Sequence, residues 1–169
     1  PNAFSKPRTG GLTLVGDWVH VRRRYDVAVK IVPKKFKGEI KAKIGFDLIN
    51  ELFRIEREEI ADACDAERLR IRQEKSKPVV EKLGEWARAT VPYVPPKSLT
   101  GKALSYMLDQ WPKLLHFLDH AALRLDTNPV ENAIRPFVIG RNNWLFSATV
   151  EGAQASAALY SLICMARAN

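Results

Sequence analysis

The residue with the most chemistry around it is Glu131, in the run Asp126-Thr127-Asn128-Pro129-Val130-Glu131-Asn132-Ala133-Ile134-Arg135-Pro136. Read locally, this is a helix start. Asn128 is the N-cap, Pro129 the first helical position, and Glu131 the third, where a carboxylate can fold back onto the free backbone N–H groups. Capping and a carboxylate held out for chemistry both suit the residue, and the local pattern favours capping. A second pair, His116 and His120, stands at the i, i+4 spacing that lets two imidazoles face one ion. No Glu follows His116 as it does in a zinc-protease helix, and Cys64 is far away, so surface or capping histidines are the ordinary reading. The sequence carries no glycine-rich phosphate loop, no Gly-x-Ser-x-Gly elbow and no paired-cysteine motif.

Charge is the other chemical signal. Lys and Arg number 27 against 19 Asp and Glu, a net charge of +8. The surplus lies in the first quarter of the chain, where Pro1 to Lys43 holds eleven basic residues against three acidic ones. Arg22, Arg23 and Arg24 with the group that begins at Lys34 and Lys35 form the footprint expected of a surface that lies along phosphates. A solvated basic face that keeps a protein soluble has the same composition. Charge leaves both readings open.

Helices must position these residues. The stretch 1–10 is rich in Pro and Gly and reads as a flexible leader, and the apolar run from Gly11 to Gly16 is the best strand candidate. Asp17 caps a helix that places Trp18, Val21, Tyr25 and Ala28/Val29 on one face until Pro33 stops it, with the arginines fanned over the other face. A second helix is expected from about Lys37 to Ala63, its stripe formed by Ile44, Leu48, Leu52 and Ile55 with Ile49, Phe53 and Ile60 beside it. Asp65 caps a third segment, Ala66 to Thr90. Its first half is crowded with charges and reads as solvent-exposed, and Pro78 marks a kink or break. Val91 to Pro96 is a stiff extended connector, and Ser98 or Thr100 opens a fourth helix carrying Leu104, Met107/Leu108, Trp111, Leu114/Leu115 and Leu118. A terminal helix is expected over Ala153 to Ala168, with Ala157, Tyr160/Ser161 and Cys164 on one face.

At 169 residues, 46% of them hydrophobic, the chain suits one domain with a real core, since folding at this size buries roughly 70% of the unfolded surface. Its longest apolar runs fall short of the ~20 residues that span a bilayer, so no membrane is expected. Two cysteines a hundred positions apart, Cys64 and Cys164, and the lack of an apolar leader suit a reducing cytoplasm. A first residue that is Pro and a helical-looking end suggest a piece of something longer.

Three ordered blocks carry a resemblance. The first is Gly16-Asp17-Trp18-Val19-His20-Val21-Arg22-Arg23-Arg24-Tyr25. The second is Pro95-Pro96-Lys97-Ser98 through Tyr106, with Gln110-Trp111-Pro112-Lys113-Leu114. The third runs from Asn128 to Phe137, continues as Gly140-Arg141-Asn142-Asn143-Trp144-Leu145-Phe146-Ser147 and ends with Ala157 to Ile163. Together they resemble the C-terminal part of transposases of the bacterial insertion sequence sixty-six family, from about Val15 to Asn169. The sequence departs from the family pattern at Asp17, where Cys is usual, at Thr127, where Asn is usual, and at Val19, Val21 and Val130, which replace alanines. Such drift suits a decayed or divergent copy.

The resemblance implies a mainly α chain that is the C-terminal fragment of a ribonuclease H-like (α/β) DDE transposase domain with a large helical insertion. Residues 11–17 would be the last core strand, 18–126 the helical insertion, and 127–169 the return of the catalytic core. Glu131 would be the last carboxylate of the DDE triad and a ligand of Mg²⁺ or Mn²⁺, with two aspartates upstream of the Gly16-Asp17-Trp18 block. No Asp or Glu precedes residue 11, so this chain alone is expected to be inactive and to bind no metal stably. Arg135, one turn beyond Glu131, would pair with it or approach a phosphate, and Arg141 and Asn142 are candidate backbone contacts. The implied partners are DNA, both insertion-sequence ends and target, and a possible second copy of the chain. The rival expectations are a non-catalytic DNA-binding or dimerisation module and an inactive remnant.

Overall fold

The computed structural model describes residues 13–32, 40–126, 128, 131, 132, 135 and 149–168. It divides into two compact units, one ending at Leu125 and the other beginning at Asp126. The described residues are mainly helical and include no strand.

In the first unit, helix α1 (Trp18–Lys30) is the central element. Its cap is the expected one, with Asp17 Oδ1 accepting from the backbone N–H groups of Val19 at 2.6 Å and His20 at 3.1 Å. The buried positions Trp18, Val21, Tyr25, Ala28 and Val29 are the expected face. Against it pack α2 (Lys41–Glu58) and α5 (Leu99–Leu114). Trp18 holds the α5 side, its indole N–H donating to the Leu114 carbonyl at 3.1 Å and its ring standing edge-on to Trp111 and Phe117.

The expected strand over 11–17 is not formed in its described part. Gly16 gives its N–H to the Lys113 carbonyl at 2.9 Å, and Trp18 gives its own to the Leu125 carbonyl at 2.9 Å. These donors go to the end of α5 and to the irregular stretch at Leu125 instead of a neighbouring strand, and a lone strand has no ladder to join. Helix α2 is shorter than expected and rotated. Its buried face is Ala42, Gly45, Ile49, Leu52 and Ile55, while Ile44 is exposed. Gly45 explains the rotation. A Cβ there would stand 2.5 Å from Tyr25 Cε1 and 2.7 Å from Trp86 Cη2, so the missing side chain is what lets two aromatic rings close over the α2 backbone.

The charged third segment holds the largest departure. Helix α3 (Asp65–Ile71) passes through a π-helical turn (Arg72–Ser76) into α4 (Lys77–Thr90). Asp65 is the first helical residue rather than the cap, which falls to Cys64 with no side-chain bond. Pro78 does not break the helix. It has no N–H to give, and one turn earlier the chain widens so that the Lys77 N–H reaches the Arg72 carbonyl. Arg72, expected in solvent with its neighbours, is buried at 1% exposure. All its N–H donors are engaged: Nε and Nη2 grip the two oxygens of Glu56 at 2.7 and 2.8 Å, and the rest reach the carbonyls of Phe117, His120 and Leu123 at 2.8 to 3.1 Å.

The 91–96 connector is a short 3₁₀ turn (Val91–Tyr93) followed by an extended stretch. Ser98 then caps α5 as expected, its Oγ accepting from the Gly101 N–H at 3.0 Å. Pro112 lies inside α5 near its end, and a second 3₁₀ turn (His116–Leu118) follows.

In the second unit, Asn128, Glu131, Asn132 and Arg135 are helical, so Asn128 lies inside the helix and is not the expected N-cap, the turn having closed before Pro129. Helix α6 (Val150–Ala168) begins three residues before the expected start. Val150, Leu159, Leu162, Ile163 and Met165 are exposed on it. Among the described residues no helix is long and apolar enough to cross a membrane.

Two outcomes follow. Gly45→Ala should lower stability by about 1–3 kcal/mol, the usual cost of overpacking against rings that cannot retreat. Arg72→Met should cost about 3–5 kcal/mol, because it strands the Glu56 carboxylate. Urea denaturation of each variant, followed by circular dichroism, measures both.

Candidate nucleic-acid interface

The arginine triplet does not form one row. Successive helical residues are turned by about 100°, and the packing of α1 between α2 and α5 sends the three side chains to different surroundings. Arg22 faces α2, is half-buried, and donates from Nε to Asn50 Oδ1 at 2.6 Å with its guanidinium over the rings of Phe46 and Phe53. Arg23 is exposed. Arg24 faces α5 and lies over the Tyr106 ring at 3.9 Å.

Each side of α1 therefore has its own cleft. The α1/α2 cleft, about 590 Å³, is lined by charges of both signs. Arg54 there is paired with Glu51 at 2.6 Å and with Glu58 at 3.1 Å, and the Arg54 hydrogen bond holds the Glu51 carboxyl below the usual carboxylate range. Asp47 is paired with Lys43. A surface so balanced has little net pull on an anion.

The α1/α5 cleft is different. It measures about 320 Å³ and is lined by His20, Arg23, Arg24 and Lys102 together with Val27, Leu99 and Ala103, and among the described residues no carboxylate lines it. Asp17 lies just behind, its Oδ2 3.2 Å from His20 Nδ1. Lys102 and Leu99 come from the first turn of α5, whose positive dipole end adds to the field. Lys102 was missed in the sequence because it lies almost eighty positions from the triplet. Its signal in the sequence is the Ser98 cap, which marks a helix start with a lysine in its first turn.

In the second unit, Glu131 and Arg135 are exposed and helical, one turn apart. Lys34, Lys35, Arg141 and Asn142 lie outside the described residues.

A family model described as "Transposase IS66 family" matches residues 2–155. The chain belongs to the IS66 transposase family. Three proteins of Sinorhizobium fredii (strain NBRC 101917 / NGR234) are similar to the chain over nearly all of it. Uncharacterized protein y4hP is 30% identical over 176 residues, covering 100% of this chain and 32% of its own length. Uncharacterized protein y4qI is 33% identical over 171 residues, covering 99% of this chain and 30% of its own length. Uncharacterized protein y4jD is 30% identical over 162 residues, covering 96% of this chain and 30% of its own length. This IS66-family chain thus spans about a third of the length of these relatives. No solved structure matches it.

The unlike surroundings of the arginines give a direct test. Arg22→Ala should destabilise the fold by about 1–2 kcal/mol through the lost hydrogen bond and ring contacts, whereas Arg23→Ala should stay within about 0.5 kcal/mol of the parent, as exposed substitutions do. Paired thermal melts decide it.

Proposed function

We propose that the chain is the C-terminal portion of a DDE-type transposase that acts on insertion-sequence DNA, with ribonuclease H-like ancestry for its catalytic part. The observation that carries this reading is the family match over residues 2–155. The α1/α5 cleft supports it as a place where cations are offered to phosphates and, among the described residues, no carboxylate lines the cleft to compete. In this reading Glu131 supplies the last carboxylate of the triad, Arg135 approaches a phosphate or pairs with Glu131, and Arg23, Arg24, Lys34, Lys35, Arg141 and Asn142 meet the backbone, while Arg22 holds α1 in register from behind.

Mg²⁺ or Mn²⁺ is the cofactor that goes with it, and such a pair of ions activates the attacking hydroxyl and steadies the leaving oxygen when bound. The donors of the second unit fit one ligand of that set and not the set itself. Glu131 is exposed and ready to offer an oxygen, Asp126 is half-buried and already engaged, and Glu151 belongs to the first turn of α6. Hard divalent ions ask for several oxygens, so Glu131 by itself does not hold the pair. A second reading, a DNA-binding helical module without catalysis, is favoured by the first unit having its own core and its own basic cleft.

The two readings part at Glu131. With this segment in a full-length family member, Glu131→Gln should leave the melting temperature unchanged and lower transposition by at least about a hundredfold, since Glu131 is exposed and Gln keeps its size while losing the charge. Transposition that survives Glu131→Gln would leave the non-catalytic module as the reading.

A further inference from the structure

We propose that the cleft between α1 and α5 holds a single unpaired nucleotide of a DNA strand, its phosphate on Arg23, Arg24, His20 and Lys102 and its sugar and base against Val27, Leu99 and Ala103. The inference rests on the chain handling DNA and adds which form of DNA this site takes.

Three observations carry it. The first is unspent charge. Arg54, Arg57, Arg70 and Arg72 are in ion pairs, and Arg68 donates to the Ala63 and Ala121 carbonyls. Arg23 and Lys102 make no ion pair among the described residues, although both line a cleft where the field of each raises the cost of the other. Asp17 answers His20, and the charge of Arg23 and Lys102 is left unfavourable for the fold by itself, so that an anion relieves it.

The second is shape. A duplex presents its phosphates on a convex outer surface, which would rest on the rim of a concave cleft and leave the apolar lining unfilled. Ala103 is fully buried at the base, and Val27 and Leu99 expose about two-fifths of their surface, 44% and 38%. An unpaired nucleotide carries both chemistries this lining asks for, an anion at one end and a flat, weakly polar body at the other.

The third is preorganisation. The Arg24 guanidinium carbon stands 3.9 Å over the centre of the Tyr106 ring, a contact that restrains the side chain. Ser98 takes up the Gly101 N–H, which holds the first turn of α5 and so keeps Lys102 at the rim. Arg24 therefore has little side-chain freedom to lose on binding, and Lys102 starts from a fixed backbone position.

The test uses the 169-residue chain and fluorescence anisotropy with two labelled probes, a blunt duplex and the same duplex carrying a short single-stranded overhang. The overhang probe should bind about tenfold tighter, and Lys102→Glu and Arg23→Ala should each remove most of that advantage while blunt-duplex affinity falls by a smaller factor. Circular dichroism melts of both variants should match the parent, because both side chains are exposed. Equal affinity for the two probes, falling with salt, would overturn the nucleotide assignment and leave the DNA reading standing. An overhang advantage that survives both substitutions would place the nucleotide elsewhere and also overturn it. Binding of dAMP as tight as that of the overhang would make this a free-nucleotide site instead. Binding of neither probe would remove the cleft assignment and the DNA reading together.

Discussion

A buried guanidinium holds the first unit together. Arg72 is nearly without solvent contact, so each of its five N–H groups needs a partner inside the protein, and each has one. The Glu56 carboxylate, on α2, meets it in the bidentate geometry that guanidinium and carboxylate share. The three carbonyls belong to the stretch from Phe117 to Leu123, which follows α5 and is held internally by short i→i−3 backbone bonds. One side chain therefore ties the α3–α4 helix to α2 on one side and to an irregular segment on the other. A lysine could not replace it, since an ammonium has three donors and no planar fork.

This constraint explains features that would otherwise look unrelated. The π turn sits at Arg72, where widening the helix re-aims the side chain, and Pro78 makes the widening cheap because it has no N–H to lose. The segment after α5, once anchored, offers Phe117 as an edge-on partner for Trp18 and brings the Leu125 carbonyl to the Trp18 N–H. The start of α1 is thereby held at both its backbone and its indole. With α1 anchored, the direction of every side chain on it is set, including which arginine turns to α2 and which to α5.

The functional surface is thus a consequence of packing rather than of the arginine run as such. Arg22 is drawn into the α1/α2 seam by Asn50 and two phenylalanines. Arg24 is held by Tyr106, and Lys102 arrives from another helix to complete a cationic rim. In the proposed reading that rim meets DNA, and Glu131, in the second unit, is the carboxylate on which the catalytic part of the proposal is tested.

The sequence alone determined whatever depends on near neighbours. The helical faces of α1 and α5, the Asp17 and Ser98 caps and the terminal helix follow from 3.6-residue periodicity and from side chains that bond backbone two or three positions away. The three motif blocks likewise carry the family, because a family is a statement about residues in order. Three features were decided only by the tertiary structure, each through partners distant in the chain. The Arg72 network joins residues up to fifty-one positions apart, and nothing around Arg72 distinguishes it from the solvated charges beside it. The rotation of α2 depends on Gly45 meeting Tyr25 and Trp86 from two other helices. The apolar run before Asp17 reads as a strand by composition, yet a strand exists only where another offers its edge, and here the Gly16 N–H found the end of α5 instead.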